Sequence, residues 1–158
     1  MNKAFLILAI VFCIVSCTSD RKEKQEQREP PVAQEKKELD SLPWNTVYNE
    51  QTQKLELQHN DVSTEGLDVA AVIRAINKKY PNIKLEAVAS SNDTLITRID
   101  DAMYLTQQMG TAGAETYFAE VTYALTELPG IKAVRFDFEE GDHAMPGSYS
   151  RASFKDFR

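Results

Sequence analysis

The stretch from Ala112 to Phe138 constrains the fold of this chain more than any other part of the sequence. Its first half predicts an amphipathic helix, because apolar residues recur at steps of three and four. The residues of this stripe are Ala114, Phe118, Val121, Leu125 and Leu128. Pro129 cannot continue a helix and Gly130 tolerates a left-handed backbone, so the helix should end there in a sharp corner. The alternation that follows predicts a strand, whose apolar face carries Val134, Phe136 and Phe138.

A second helix and a β-hairpin are predicted upstream of this unit. The helix begins at Asp68, whose side chain can cap the first turn, and it ends before Pro81. Residues 83–89 place an apolar side chain at every second position, and residues 94–99 are dense in β-branched side chains. A polar turn separates these two segments, so they are predicted to pair as a hairpin.

The order of the predicted elements indicates the fold class. It reads helix, strand, strand, helix, strand, and residues 46–57 form a further candidate strand, turn and strand. Helices laid on one face of a small sheet give an α+β fold. We therefore predict a two-layer sandwich in which two helices cover a sheet of three or four strands.

The N-terminal residues have the anatomy of a secretory signal peptide. Lys3 provides a positive start, and Ala4 to Val15 is an uncharged apolar run of twelve residues. Such a run is too short for a membrane-spanning helix, which needs roughly 20 residues. We predict that residues 1–16 are a signal peptide that is removed on export.

The end of this run, Ile14-Val15-Ser16-Cys17, resembles the lipobox of bacterial lipoproteins. The resemblance implies that the Cys17 thiol is acylated, that the preceding peptide is then cut away, and that the new amino end is acylated as well. Several acyl chains anchor a protein stably, whereas a single chain binds only marginally. We therefore expect an exported protein that is anchored to the cell envelope through lipid on Cys17. Thr18 is not the aspartate that retains lipoproteins in the inner membrane, which favours the outer membrane if the cell has one.

Composition separates a charged tether from the part that folds. Residues 17–42 are rich in charges of both signs and poor in large apolar side chains, which predicts the lipidated cysteine followed by a disordered tether. Globular composition starts at Pro43, so residues 43–158 are predicted to form one domain. The only cysteines are Cys13 and Cys17, which leaves this domain without a disulfide. The net charge of -6 argues against a nucleic-acid partner.

Two short segments could carry chemistry, and each also has a simpler interpretation. Glu140, Asp142 and His143 could act in hydrolysis or bind a metal, but acidic residues around a glycine are also typical of a solvated turn. The segment Gly110–Gly113 could aim backbone N–H groups at an anion, or its glycines could simply ease a tight turn into the helix. The sequence contains no nucleophile elbow and no phosphate-binding loop, so we expect no catalytic residues, no metal and no cofactor.

An interaction surface is the remaining candidate for function. Apolar, aromatic and polar residues cluster in the loops at the two ends of the central unit, and such residues anchor interfaces. The alternative is that they cap an open end of the sandwich. The candidate surface residues are Tyr104, Met109, Gly110, Gly141, Asp142, His143 and Tyr149.

Three segments of the chain together resemble the GerMN domain, which occurs in spore germination proteins and in many bacterial lipoproteins. They are residues 92–100, residues 113–115 and residues 124–136, and the last of these contains Leu-Thr-Glu-Leu-Pro-Gly-Ile-Lys. The resemblance covers about residues 68–154. It implies a helix-strand-strand-helix-strand fold similar to ring-building motifs, located in the cell envelope and without established catalysis.

These observations lead to one main functional hypothesis and one alternative. The main hypothesis is a non-enzymatic, lipid-anchored envelope protein whose GerMN-like domain binds an envelope protein, another copy of itself or peptidoglycan. The alternative is an envelope hydrolase or metal-binding protein that uses Glu140, Asp142 and His143.

The lipid anchor can be tested directly. We expect Cys17→Ser to abolish labelling of the protein by radioactive palmitate in growing cells, because serine offers no thiol for acylation. Cys13→Ser is the matched control and should be labelled as strongly as the parent. Equal labelling of the Cys17→Ser variant and the parent would contradict a lipid anchor at this position.

Overall fold

The computed structural model describes residues 37–157 and has a mixed α+β fold, which confirms the predicted class. This part of the chain contains two α-helices, α1 (Val69–Lys79) and α2 (Gly110–Leu125). The six strands are β1 (Trp44–Asn49), β2 (Lys54–His59), β3 (Leu85–Ser91), β4 (Thr94–Ile99), β5 (Ala133–Asp137) and β6 (Gly147–Ser150). A π-helical turn (Tyr104–Gln108) precedes α2, and a 3-10 turn (Arg151–Phe154) follows β6.

The predicted signal peptide, lipobox and most of the predicted tether lie outside the described residues. Within the described part of the chain, no helix has the length and apolar character needed to cross a membrane. The packed region begins earlier than Pro43, because Leu39 and Leu42 are buried in the core. These two leucines were assigned to the tether, since isolated apolar residues among charges give little sequence signal.

The strands form two sheets, which corrects the prediction of one small sheet. One sheet has the order β3-β4-β5-β6, in which β4 and β5 are parallel and the outer pairs are antiparallel. The β1–β2 hairpin forms a separate two-stranded sheet. The predicted order helix-strand-strand-helix-strand is present as α1, β3, β4, α2 and β5. The fourth strand of the main sheet is β6, whose short Gly-Ser-Tyr-Ser sequence was interpreted as a loop.

Local signals in the sequence set the ends of both helices. The Asp68 carboxylate accepts a hydrogen bond from the Ala71 backbone N–H at 2.7 Å, so the predicted cap of α1 is confirmed. After α2, Gly130 has a φ of 83°, a left-handed conformation that glycine adopts without a steric penalty. The chain therefore turns at the Pro-Gly corner and enters β5.

Helix α2 is buried on two opposite sides. In a simple two-layer sandwich, only the side of the helix that faces the sheet would be buried. Its Phe118 ring lies 5.0 Å from Phe136 of β5, so this side of the helix faces the main sheet. Glu120 and Tyr123 lie about half a turn around the helix axis from Phe118. Both are buried, and Tyr123 packs against Trp44 of β1 with ring centroids 4.8 Å apart. The hairpin therefore covers the side of α2 that points away from the main sheet.

A buried carboxylate, Glu120, joins three elements at this second interface. It is only 2% exposed and accepts hydrogen bonds from the Thr46 backbone N–H at 2.7 Å and from the Tyr80 hydroxyl at 2.5 Å. Lys79 forms an ion pair with the same carboxylate. Burial and the neighbouring Glu120 raise the pKa of Tyr80 far above its ordinary value, so its hydroxyl stays protonated and remains a donor.

A second polar cluster ties the hairpin to the end of α2 and to the 3-10 turn. Glu127 accepts a hydrogen bond from the Trp44 indole N–H at 2.9 Å and another from the Arg151 guanidinium. The guanidinium also lies over the rings of Trp44 and Tyr123, at 5.4 and 4.9 Å from their centroids. Burial alone would raise the pKa of Glu127, but the bonds from Trp44 and Arg151 outweigh this effect and hold its pKa below the ordinary value.

We expect Glu120→Ala to lower the free energy of unfolding by about 1–3 kcal/mol, because it leaves the partly buried Thr46 N–H and Tyr80 hydroxyl without an acceptor. Urea denaturation followed by circular dichroism measures this change. Glu115→Ala is the matched control on the exposed side of the same helix and should cost no more than about 0.5 kcal/mol. Equal losses in the two variants would contradict the role assigned to Glu120.

Candidate functional site

A groove of about 530 Å³ lies beside the beginning of α2. One wall is α2 itself, the second is the loop that connects β5 to β6, and the third is the segment that follows β6. We call it the Tyr149 groove. Its lining residues are Thr111, Glu115, Phe118, Gly141, Asp142, His143, Ala144, Met145, Tyr149, Ser153, Phe154, Asp156 and Phe157.

The groove brings together four of the seven surface residues predicted from the sequence, namely Gly141, Asp142, His143 and Tyr149. The other three do not line it. Tyr104 and Met109 are partly buried and pack against the hydrophobic core. Gly110 begins α2 with a φ of 72°, so a left-handed turn accounts for this glycine.

The loop between β5 and β6 is held against the π-helical turn at its base. The Gly141 N–H donates to the Ala144 carbonyl at 3.1 Å, which closes a tight turn around Asp142 and His143. The His143 N–H donates to the carbonyl of Thr106 at 3.0 Å. These bonds hold the main chain of His143 in place, and its imidazole lines the groove.

Gly141 makes a close approach that another residue would prevent. A Cβ atom at this position would lie 2.7 Å from the Thr106 Cβ and 2.5 Å from the side-chain nitrogen Nε2 of Gln107. Gln107 can move its flexible side chain away, but Thr106 is buried and bonded to the Ala102 carbonyl. The glycine therefore allows the loop to dock on the π-helical turn.

Stacked aromatic rings form the floor of the groove. The Tyr149 ring lies nearly parallel to Phe118 at a centroid distance of 4.8 Å and to Phe154 at 5.8 Å. Its hydroxyl donates to the Met145 carbonyl at 3.1 Å, which joins β6 to the loop. Burial raises the pKa of Tyr149, so the hydroxyl remains a donor at neutral pH. The floor is thus a fixed apolar surface with a single polar group near its edge.

The His143 imidazole makes one side-chain hydrogen bond within residues 37–157. It joins Nδ1 to the Thr111 hydroxyl at 3.3 Å. This distance is slightly longer than the usual range for a nucleophile and its base. In a catalytic triad a third group orients the base, and the hydrogen bonds of residues 37–157 give the imidazole no carboxylate partner of this kind. The pair therefore connects α2 to the loop without forming a complete catalytic constellation.

The structure does not bring Glu140, Asp142 and His143 to one place. Asp142 and His143 line the Tyr149 groove, whereas Glu139 and Glu140 line a second groove on the other side of the loop, together with Asp100 and Asp101. Among residues 37–157, no three His, Cys, Asp or Glu side chains are close enough to hold a metal ion.

Sequence reasoning missed two walls of the groove. Thr111, Glu115 and Phe118 are spaced by four and three residues, so the helical periodicity of α2 could have placed them on one face. No periodicity in the sequence indicates Asp156 and Phe157, because a hydrogen bond to a residue far away in the sequence sets their position. The Phe157 carbonyl accepts from the Leu57 N–H of β2 at 2.8 Å.

Comparisons with known proteins include a distant structural likeness. The sequence matches no protein-family model, and no curated protein matches it. The structure is similar to the tandem GerMN domains of the sporulation protein GerM from Bacillus subtilis, with a TM-score of 0.42 and 12% identity. The likeness covers 68% of this chain and 46% of that structure, so the chain spans less than half of its length. A likeness of this size does not assign the chain to a family.

We expect Gly141→Ala to lower the free energy of unfolding by about 1–3 kcal/mol, because the added methyl group overlaps Thr106 and pushes the loop off the π-helical turn. Thermal and urea unfolding measure the loss. Gly147→Ala is the matched control, since its Cβ would meet Tyr149 at an ordinary contact distance of 3.5 Å. A Gly141→Ala protein as stable as the Gly147→Ala protein would show that the close approach is not needed.

Proposed function

We propose that this protein is a non-enzymatic binding module of the cell envelope, anchored by lipid on Cys17, which uses the Tyr149 groove to bind another envelope component. The observation that carries the proposal is the groove itself, where Asp142, His143 and Tyr149 meet the exposed face of α2. Binding sites combine an apolar surface with a few polar groups that orient the ligand, and this groove has both.

The anchor follows from the sequence alone. The short apolar run and the Ile-Val-Ser-Cys segment motivate export and acylation, and the charged residues after Cys17 would let the domain stand away from the membrane. A domain presented in this way can reach envelope components that lie some distance from the lipid surface.

Two further features support contact with a partner. Met145 is 67% exposed at the rim of the groove, and a flexible thioether adapts well to an apolar partner. The loop that carries Met145 is held by the backbone bonds at Gly141 and His143. A prearranged loop loses little conformational freedom when a partner binds, which favours affinity.

The proposal of a non-enzymatic role rests on the geometry around His143. Its contact with Thr111 lacks an orienting carboxylate among the described hydrogen bonds, and Glu140 belongs to a different groove. The carboxylates and the imidazole therefore supply polar contacts for a ligand and do not combine into a set of reacting groups.

In vivo photo-crosslinking tests the proposal. A photo-reactive amino acid at Met145 or at Asp142 should capture a defined protein or peptidoglycan adduct in living cells, which mass spectrometry identifies. Val88 and Tyr48 are the control positions, because they are 54% and 60% exposed but do not line the groove. Equal capture at all four positions, or no capture at the groove, would contradict the proposed binding surface.

A further inference from the structure

The Tyr149 groove combines negative charge with an apolar floor. Three of its lining residues are carboxylates, Glu115, Asp142 and Asp156, and none of the lining residues is a lysine or an arginine. All three are exposed, and they come from α2, from the β5–β6 loop and from the segment after β6. The negative groups therefore surround the groove on separate walls.

The floor favours an inserted apolar side chain over a stacked sugar ring. A sugar normally stacks on the free face of an aromatic ring, but Phe118 and Phe154 already stack on Tyr149. The exposed apolar group of the groove is the thioether of Met145, which lies beside the Tyr149 ring. Contacts of this kind fit a phenylalanine-sized or leucine-sized side chain.

We propose that the ligand of the Tyr149 groove is a positively charged peptide segment, in which one large apolar side chain is flanked by lysine or arginine. The apolar side chain lies in the groove beside the Met145 thioether and the Tyr149 ring, and the flanking cations lie beside Glu115, Asp142 and Asp156. Charge complementarity selects this occupant, because an acidic segment would be repelled by the same three groups. This inference rests on the proposed function and adds the chemical class of the ligand.

The test uses two short peptides as probes on the full chain, purified in non-ionic detergent and labelled with ¹⁵N. The first is acetyl-Gly-Lys-Phe-Lys-Gly-amide, and the second is acetyl-Gly-Glu-Phe-Glu-Gly-amide. We expect the lysine peptide to shift the amide resonances of residues 141–145, and we expect the glutamate peptide to leave them unchanged. The affinity of the lysine peptide should fall as sodium chloride is raised to 0.5 M, because salt screens exposed charges.

A charge-matched pair of variants locates the cationic contacts. E115Q/D142N/D156N should weaken binding of the lysine peptide by about threefold or more, since three exposed ion pairs are removed. D101N/E139Q/E140Q changes the net charge by the same amount at the second groove and should leave the affinity within about twofold of the parent. Circular dichroism and thermal unfolding confirm that both proteins fold.

The outcomes separate this inference from the proposed function. Equal weakening by the two triple variants, or stronger binding of the glutamate peptide, would overturn the inference. If an uncharged chitotetraose shifts residues 141–145 and the lysine peptide does not, the groove is a glycan site and the inference is wrong, while the proposed binding role stands. If neither probe binds and crosslinking captures nothing at Met145, both are wrong.

Discussion

The Glu120 carboxylate is the interaction on which the arrangement of this domain depends. It lies in the middle of α2, is almost completely buried, and bonds to groups that lie 40 residues earlier at Tyr80 and 74 residues earlier at Thr46. A buried carboxylate is tolerated only when its oxygens are paired, so α1 and β1 must both be in place before α2 is stable there. One side chain thus fixes the hairpin and the first helix relative to the second.

The opposite side of α2 builds the groove, so one helix serves two different surfaces. Phe118 packs against Phe136 of the sheet and also stacks on Tyr149 in the groove floor. Glu115, one turn earlier, is exposed at the rim. A helix held by Glu120 on one side can therefore keep the groove in a constant shape on the other, which would limit the entropy lost in the binding proposed above.

The parts of the structure that the sequence could predict are those with local causes. The Asp68 cap, the Pro-Gly corner and the alternation in β5 depend on residues within a few positions of one another. The burial of Glu120 could not be predicted, because its partners are far away in sequence and a glutamate in a helix usually faces solvent. Strand β6 was missed for a related reason, since its four residues have weak strand propensity and gain their order from pairing with β5.

The candidate site shows the same division between local and distant causes. The turn around Asp142 and His143 was found because glycine and acidic residues cluster there. Asp156 and Phe157 in the third wall were not predicted, because the bond between Leu57 and Phe157 joins residues that are far apart in the sequence. Tyr104 and Met109 were assigned to the surface from their position in a polar segment, yet the π-helical turn directs them toward the core.

The parallel pairing of β4 with β5 also has a kinetic consequence. The connection between these strands includes the π-helical turn and all of α2, so the pair cannot form as a local hairpin. Closing such a long segment costs entropy before its contacts form, and strand pairing of this kind is slow compared with helix and hairpin formation. Strand β6 is the edge strand of this sheet and pairs with β5, so it can join the sheet only once β5 is in place. We therefore expect the groove to be assembled last, so that a partly folded chain would not display it.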